Sequence, residues 1–162
     1  MLSIEQAWSA LSKVTDPELP VLSICELGIV RDVQATADEV TVIVTPTYSG
    51  CPATEMIQST IREALTAAGA AKVTIQTRLS PAWTSDWITP AAREKLRDYG
   101  IAPPAPRQSG SAQSLRFVPP PPECPRCRSR STVRISEFGA TACKALYRCE
   151  SCKEPFEYFK PL

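Results

Sequence analysis

Two cysteine pairs near the C-terminus, Cys124-Pro-Arg-Cys127 and Cys149-Glu-Ser-Cys152, carry the most specific chemistry in the sequence. Each CxxC turn presents two sulfurs, and the 21 residues between Cys127 and Cys149 suit two such turns closing on one ion. Four thiolates give zinc the tetrahedral site it accepts without geometric penalty and leave no position for water or substrate, so the ion would be structural. Iron in a rubredoxin-like site is the competing occupant. The chain contains no histidine. That removes the commonest nitrogen ligand and the commonest general base, and with them Ser-His-Asp and Cys-His nucleophilic catalysis.

The other cysteines divide by context. Cys51 precedes Pro52 where a helix is expected to start, at the N-cap or next to it, and unpaired N–H groups at a helix start stabilise a thiolate. A buried cap residue is the bland alternative to a thiolate that handles a metal or cluster. Asp16 and Glu18 flank Pro17 in a stiff loop and offer either oxygen ligands, a partner contact or a turn cap. Cys25 lies in the apolar run Val21-Leu-Ser-Ile-Cys25 and reads as a core residue, while Cys143 has the wrong spacing for a further knuckle and reads as structural.

The elements that position these residues follow from patterning. Ser3 and Gln6 fit a capping box ahead of Ile4, Ala7, Trp8 and Leu11, which predicts a helix over 4–14 that Pro17 and Pro20 forbid to continue. Residues 29–35 and 39–45 read as a hairpin, 53–68 as a second helix and 72–79 as a half-buried alternating strand. Thr89, Pro90 and Gly100 bracket a third helix. Between 101 and 122 seven of 22 residues are proline with almost no apolar pattern, which reads as a linker. Beyond it, 132–138 and 145–147 suit short ribbon strands, and Phe156, Tyr158 and Phe159 suit its core or a protein contact.

The expected fold class is therefore α+β: an α-β-β-α-β-α domain with a mixed sheet over 1–100, a proline-rich linker over 101–122 and a zinc ribbon over 123–162. With 43% hydrophobic and 22% charged residues, no apolar run long enough to span a membrane and no signal-peptide pattern, the chain reads as cytoplasmic. Residues 123–162 hold 8 Lys/Arg against 5 Asp/Glu, a surplus of 3 that four thiolates around a divalent ion reduce to about +1. Glu137, Glu150, Glu154 and Glu157 also interrupt the basic side chains Arg126, Arg128, Arg130 and Arg134, so nucleic acid is an unfavoured partner. Trp83 and Trp87, four apart, suit either core packing or a partner contact.

Several stretches taken together resemble one family: Asp16-Pro-Glu-Leu-Pro-Val-Leu-Ser-Ile-Cys-Glu-Leu-Gly-Ile-Val30, Thr45-Pro-Thr-Tyr-Ser-Gly-Cys-Pro-Ala53, Ala82-Trp-Thr-Ser-Asp-Trp87, Ile135-Ser-Glu-Phe-Gly139 and Thr141-Ala-Cys-Lys-Ala-Leu-Tyr-Arg-Cys149. They are similar to the PaaD components of the bacterial phenylacetyl-coenzyme A epoxidase system. The first part also resembles the iron–sulfur assembly domain of SufT and the cytosolic cluster-targeting factors, in which a DPE loop and a helix-start cysteine recur at positions matched by Asp16, Glu18 and Cys51. The resemblance implies a non-catalytic accessory subunit in phenylacetate catabolism that helps to mature an iron–sulfur or di-iron centre in an oxygenase or reductase partner. It implies structural zinc, a transient iron or iron–sulfur cargo at Cys51, Asp16 and Glu18, and leaves a homodimer open. A purely structural or regulatory docking subunit is the alternative.

Overall fold

In the computed structural model, which describes residues 1–105 and 120–162, Ser3 caps the first helix reciprocally. Its hydroxyl accepts from the Gln6 N–H at 3.1 Å and its own N–H donates to the Gln6 side chain at 2.9 Å. This helix, α1 (Ile4–Leu11), stops short of the expected residue 14. The Ser12 hydroxyl turns back onto the Ser9 carbonyl at 2.8 Å, and the chain tightens through a bond from the Lys13 N–H to the Ala10 carbonyl at 3.2 Å. The structured chain forms two compact units, Met1–Ala92 with Leu162 and Arg93–Pro161, and each is described by itself.

In the first unit the expected hairpin is β1 (Val30–Ala35) paired antiparallel with β2 (Val40–Val44). A bulge between Val30 and Asp32 shifts the alternation, so that Val30 and Val33 are both buried although three residues apart. Helix α2 (Ala53–Ala67) follows, burying Ala53, Ile57, Ile61 and Leu65 at i, i+4 spacing, and β3 (Val73–Thr77) returns parallel to β2. The sheet is mixed, in the order β1-β2-β3. The alternation expected over 72–79 is not realised: β3 is an edge strand whose residues 73–75 are half-buried, while Gln76, Thr77 and Leu79 are exposed.

The loop from Thr15 to Ser23 closes on itself as a narrow ladder, with Asp16 N–H on the Leu22 carbonyl at 3.0 Å and Ile24 N–H on the Val14 carbonyl at 2.9 Å. Leu22, Ile24 and Leu27 are fully buried, as are Leu11, Val42, Ile61 and Leu65, which makes this loop part of the core. Trp83 is buried in the same unit and its indole N–H donates to the Leu27 carbonyl at 2.9 Å. Trp87, on a one-turn 3₁₀ segment (Ser85–Trp87), is half-buried and carries the Arg31 guanidinium 3.6 Å from its ring centroid. Core packing is thus the role of Trp83. Helix α3 (Pro90–Asp98) starts as expected, with the Thr89 hydroxyl accepting from Ala92 N–H at 3.2 Å, and Gly100 follows it at φ +90°.

In the second unit a four-stranded sheet runs in the order β4-β7-β6-β5: β4 (Ile101–Ala102), β5 (Thr132–Ser136), β6 (Lys144–Cys149) and β7 (Pro155–Phe159). Two of these strands depart from the sequence expectation. Ile101 and Ala102, read as the start of the linker, form β4 and are buried beside β7, their parallel partner. The aromatic run at 156–159 is itself a strand, and Phe156 is buried in the unit's core with Ala102, Cys124 and Cys149, while Phe159 is buried near the strand's end. Most of the expected linker, 106–119, lies outside the described residues.

Gly28 sits at φ +74°, and a Cβ there would lie 2.8 Å from the Trp87 Cβ and 3.1 Å from the Trp87 carbonyl oxygen. Gly28→Ala combines left-handed strain with overpacking and is expected to cost about 2 kcal/mol or more. Urea denaturation followed by tryptophan fluorescence checks this.

Candidate functional site

Each knuckle of the ribbon turns through a left-handed residue directly after its second cysteine, Arg128 at φ +64° and Lys153 at φ +67°. The turns fold the sulfurs inward: Arg128 N–H bonds the Cys124 carbonyl at 2.9 Å, and Cys152 N–H points at the Cys149 sulfur at 3.5 Å. Cys124 Sγ lies 3.8 Å from Cys152 Sγ and Cys127 Sγ lies 3.5 Å from Cys149 Sγ. All four sulfurs fall within 4.8 Å of one another. A zinc–sulfur bond of about 2.3 Å in a tetrahedron requires sulfur–sulfur edges of about 3.8 Å, so the donor set fits that ion. When bound, zinc would tie the two knuckles together as a closed structural centre.

Three of these thiols are shifted in different directions before metal. N–H groups of Cys152 and Ser151 hold Cys149 down to about 6. Cys127 gains from the Ser129 N–H, but burial and the sharing of protons with the other three sulfurs outweigh it and push it up to about 12. Burial raises Cys124 as well. Above about pH 6 Cys149 is a ready thiolate, and the raised thiols of Cys124 and Cys127 must surrender protons as the ion enters. Arg126 pairs with Glu154, Arg134 with Glu137, and Arg128 and Arg130 lie 3.5 and 4.0 Å from Glu123, so all four of these basic side chains face a carboxylate. Cys143 stays outside the cluster, buried with its sulfur 3.0 Å from the Thr141 hydroxyl.

In the first unit, α2 begins at Ala53 with Pro52 as its N-cap and no side-chain cap, which puts Cys51 at the adjacent position. The contact with the helix start is through the backbone, where the Cys51 carbonyl accepts from Thr54 N–H at 3.1 Å. The half-buried Cys51 lines a depression with Asp16, Thr47, Thr54 and Gln58 over an apolar floor of Ile29, Val44 and Ile57. Asp16, 7% exposed, accepts from Glu18 N–H at 2.8 Å and Leu19 N–H at 2.9 Å through one carboxylate oxygen. It is a turn cap that also faces the thiol's depression. Glu18 is not among the lining residues. Cys25 is half-buried, and burial followed by the neighbouring Glu26 pushes its thiol up to about 11, so it stays protonated at neutral pH.

Thr47, Thr54 and Gln58 do not stand out in the sequence as site residues. Thr54 and Gln58 are four apart on α2, one residue after the buried positions Ala53 and Ile57, so a polar stripe beside the apolar one was the available signal.

A protein of Escherichia coli (strain K12), provisionally named as the D component of a 1,2-phenylacetyl-CoA epoxidase, is 53% identical over 157 residues, covering 97% of this chain and 92% of that one. The chain belongs to the PaaD family. Its residues 108–160 match the PaaD zinc beta ribbon domain, and residues 4–77 match the iron–sulfur cluster assembly protein family. A DUF59 domain from Bacillus anthracis is similar in structure, with TM-score 0.53 and 26% identity over 57% of this chain and 89% of that chain. A conserved hypothetical protein from Thermotoga maritima gives TM-score 0.51 and 34% identity over 58% and 93%. The PaaD resemblance read from the sequence is therefore correct, as is the α+β class with its ribbon. Among the described residues no helix is long and apolar enough to cross a membrane.

The purified chain is expected to carry about one zinc per molecule, and Cys149→Ser is expected to lose it because the four-sulfur donor set is broken. X-ray absorption would show sulfur ligands alone, and a zinc titration would show affinity falling as pH falls, with one further proton competing below about pH 6 where Cys149 protonates. Asp16→Ala is expected to destabilise by about 1–2 kcal/mol through the lost cap, while Asp16→Asn, which keeps an acceptor oxygen, stays close to wild type. Chemical denaturation separates the two.

Proposed function

We propose that this chain is a non-catalytic accessory subunit of a phenylacetyl-CoA epoxidase system, acting in the cytoplasm to help mature a metal centre in a partner subunit. The observation that carries the reading is the depression that brings Cys51 and Asp16 together within the part that matches the iron–sulfur cluster assembly family. The name of the Escherichia coli relative supports the system to which it is assigned.

The chemistry of the depression suits transient cargo better than catalysis. A soft sulfur ligand and a hard carboxylate over an apolar floor can hold an iron or iron–sulfur species at few points and release it to a better ligand set. Glu18, on the same loop, would act from outside the lining. The ribbon cysteines Cys124, Cys127, Cys149 and Cys152 hold resident structural zinc in this reading, since a closed four-sulfur site leaves no position for a reacting group. With no histidine in the chain, oxygen activation belongs to the partners.

Cys51→Ser removes the soft ligand while its carbonyl still takes the Thr54 N–H. Cells carrying it are expected to make epoxidase subunits at normal levels but with iron or cluster missing from one of them, and ring-epoxidising activity down about tenfold or more. Fully metallated partners and normal growth on phenylacetate would reject maturation through this thiol and favour a structural docking role.

A further inference from the structure

The first unit's sheet ends in a strand whose outer side has no neighbour among the described residues. β3 is last in the order β1-β2-β3. Its parallel ladder uses alternate residues: the Lys72 carbonyl takes the Val40 N–H at 2.9 Å, and Arg78 N–H reaches the Val44 carbonyl at 2.8 Å. With the period of two that a strand imposes, Thr74 and Gln76 also turn toward β2. The N–H and C=O groups of Val73, Ile75 and Thr77 therefore point to the open edge, where a further chain can pair with them.

Charge and shape along this edge point to the occupant. Gln58 donates to the Thr77 hydroxyl at 3.5 Å, which puts the α2 flank of Thr54, Gln58 and Arg62 beside β3. Arg62 and Arg78 are exposed, and neither has an ion-pair partner among the described residues. β3 itself contains no carboxylate; on α2, Glu63 takes the Ser59 hydroxyl at 3.2 Å and Glu55 lies three residues before Gln58, while Glu39, just before β2, is engaged with Thr74 of β3 and with Lys72 at 3.1 Å. At the end of the edge Leu79, 62% exposed, rims a cleft that also contains Thr45. The Thr45 hydroxyl is buried and has no hydrogen-bond partner among the described residues.

We propose that the open edge of β3 is a docking edge for an extended, acidic segment of a partner protein, which joins the sheet as a further strand with its carboxylates against Arg62 and Arg78. Main-chain pairing supplies the affinity and the two arginines select the charge, the division of labour of strand-addition recognition. Gln58 belongs both to this flank and to the Cys51 depression, so the docked segment ends beside the thiol. Docking itself needs no thiol chemistry and goes beyond the maturation reading.

The test uses the full-length, zinc-loaded chain and a fluorescein-labelled valine–threonine peptide flanked by glutamates, with a lysine-flanked peptide as control. Fluorescence anisotropy should show saturable binding of the acidic peptide, weakened about tenfold by raised salt, by Arg62→Glu with Arg78→Glu, or by the switch to lysine. Amide exchange should slow at Val73, Ile75 and Thr77 and stay unchanged at Thr74 and Gln76, which are already bonded to β2. Thr77→Pro removes one edge-facing donor without touching the β2 ladder, and is expected to abolish binding with circular dichroism unchanged. If that variant fails to fold, the arginine pair and the exchange pattern still decide. Absence of saturable binding, or equal binding of acidic and basic peptides, overturns the proposal. Edge protection that appears with chain concentration and no peptide also overturns it, assigning the edge to a second copy. Cys51→Ser should bind the peptide like wild type, so a failed maturation role and a failed docking edge give different results.

Discussion

The bond from the Trp83 indole to the Leu27 carbonyl, spanning 56 residues, fixes the segment on which the first unit's functional face depends. Once Leu27 is held, Gly28 must pass under Trp87 with a left-handed backbone, and Arg31 comes to rest over the same ring. Ile29 then meets Thr45 through a 2.8 Å backbone bond and becomes part of the floor beneath Cys51. Buried hydrogen bonds of this kind are costly to leave unmade, so replacement of the indole would orphan a carbonyl at the centre of the arrangement.

The second unit is organised by a different constraint. Its hydrophobic cluster consists of Ala102, Phe156 and two cysteines, Cys124 and Cys149, with Tyr147, Cys152 and Tyr158 packed against it. So small a cluster supplies little burial, and half of its central side chains are metal-ligand types. Lys144 of β6 and Glu157 of β7 form a largely buried ion pair at 2.7 Å that depends on both partners, since removal of either leaves a charge with poor solvation. A metal bound by the four cysteines would supply in this unit the cross-linking that aliphatic packing supplies in the other.

Features decided by short-range chemistry were readable in the sequence: the Ser3–Gln6 box, the Thr89 cap, the β1–β2 hairpin and the spacing of the four ribbon cysteines. Features decided by distant partners were not. Ile101-Ala102 becomes a strand only because β7 runs alongside it more than 50 residues later. The alternation of 72–79 reads as half-buried, yet among the described residues β3 has a single neighbouring strand, and its far end is exposed. Asp16 and Cys51 share a depression although nothing in their separation of 35 residues implies it; family resemblance supplied that pairing, while Glu18, which the stiff loop itself also offered as an oxygen ligand, falls outside the lining.

Accessibility is uneven within the four-sulfur cluster: Cys124 and Cys149 are buried, Cys152 is intermediate and Cys127 is exposed. Were an ion bound there, a chelator or an oxidant arriving from solvent would meet the Cys127 sulfur before the buried sulfurs of Cys124 and Cys149. Burial and proton sharing also push the Cys127 thiol up to about 12 when the cluster is empty. The closed centre would thus have an outer and an inner side, with one sulfur at the surface and two in the core.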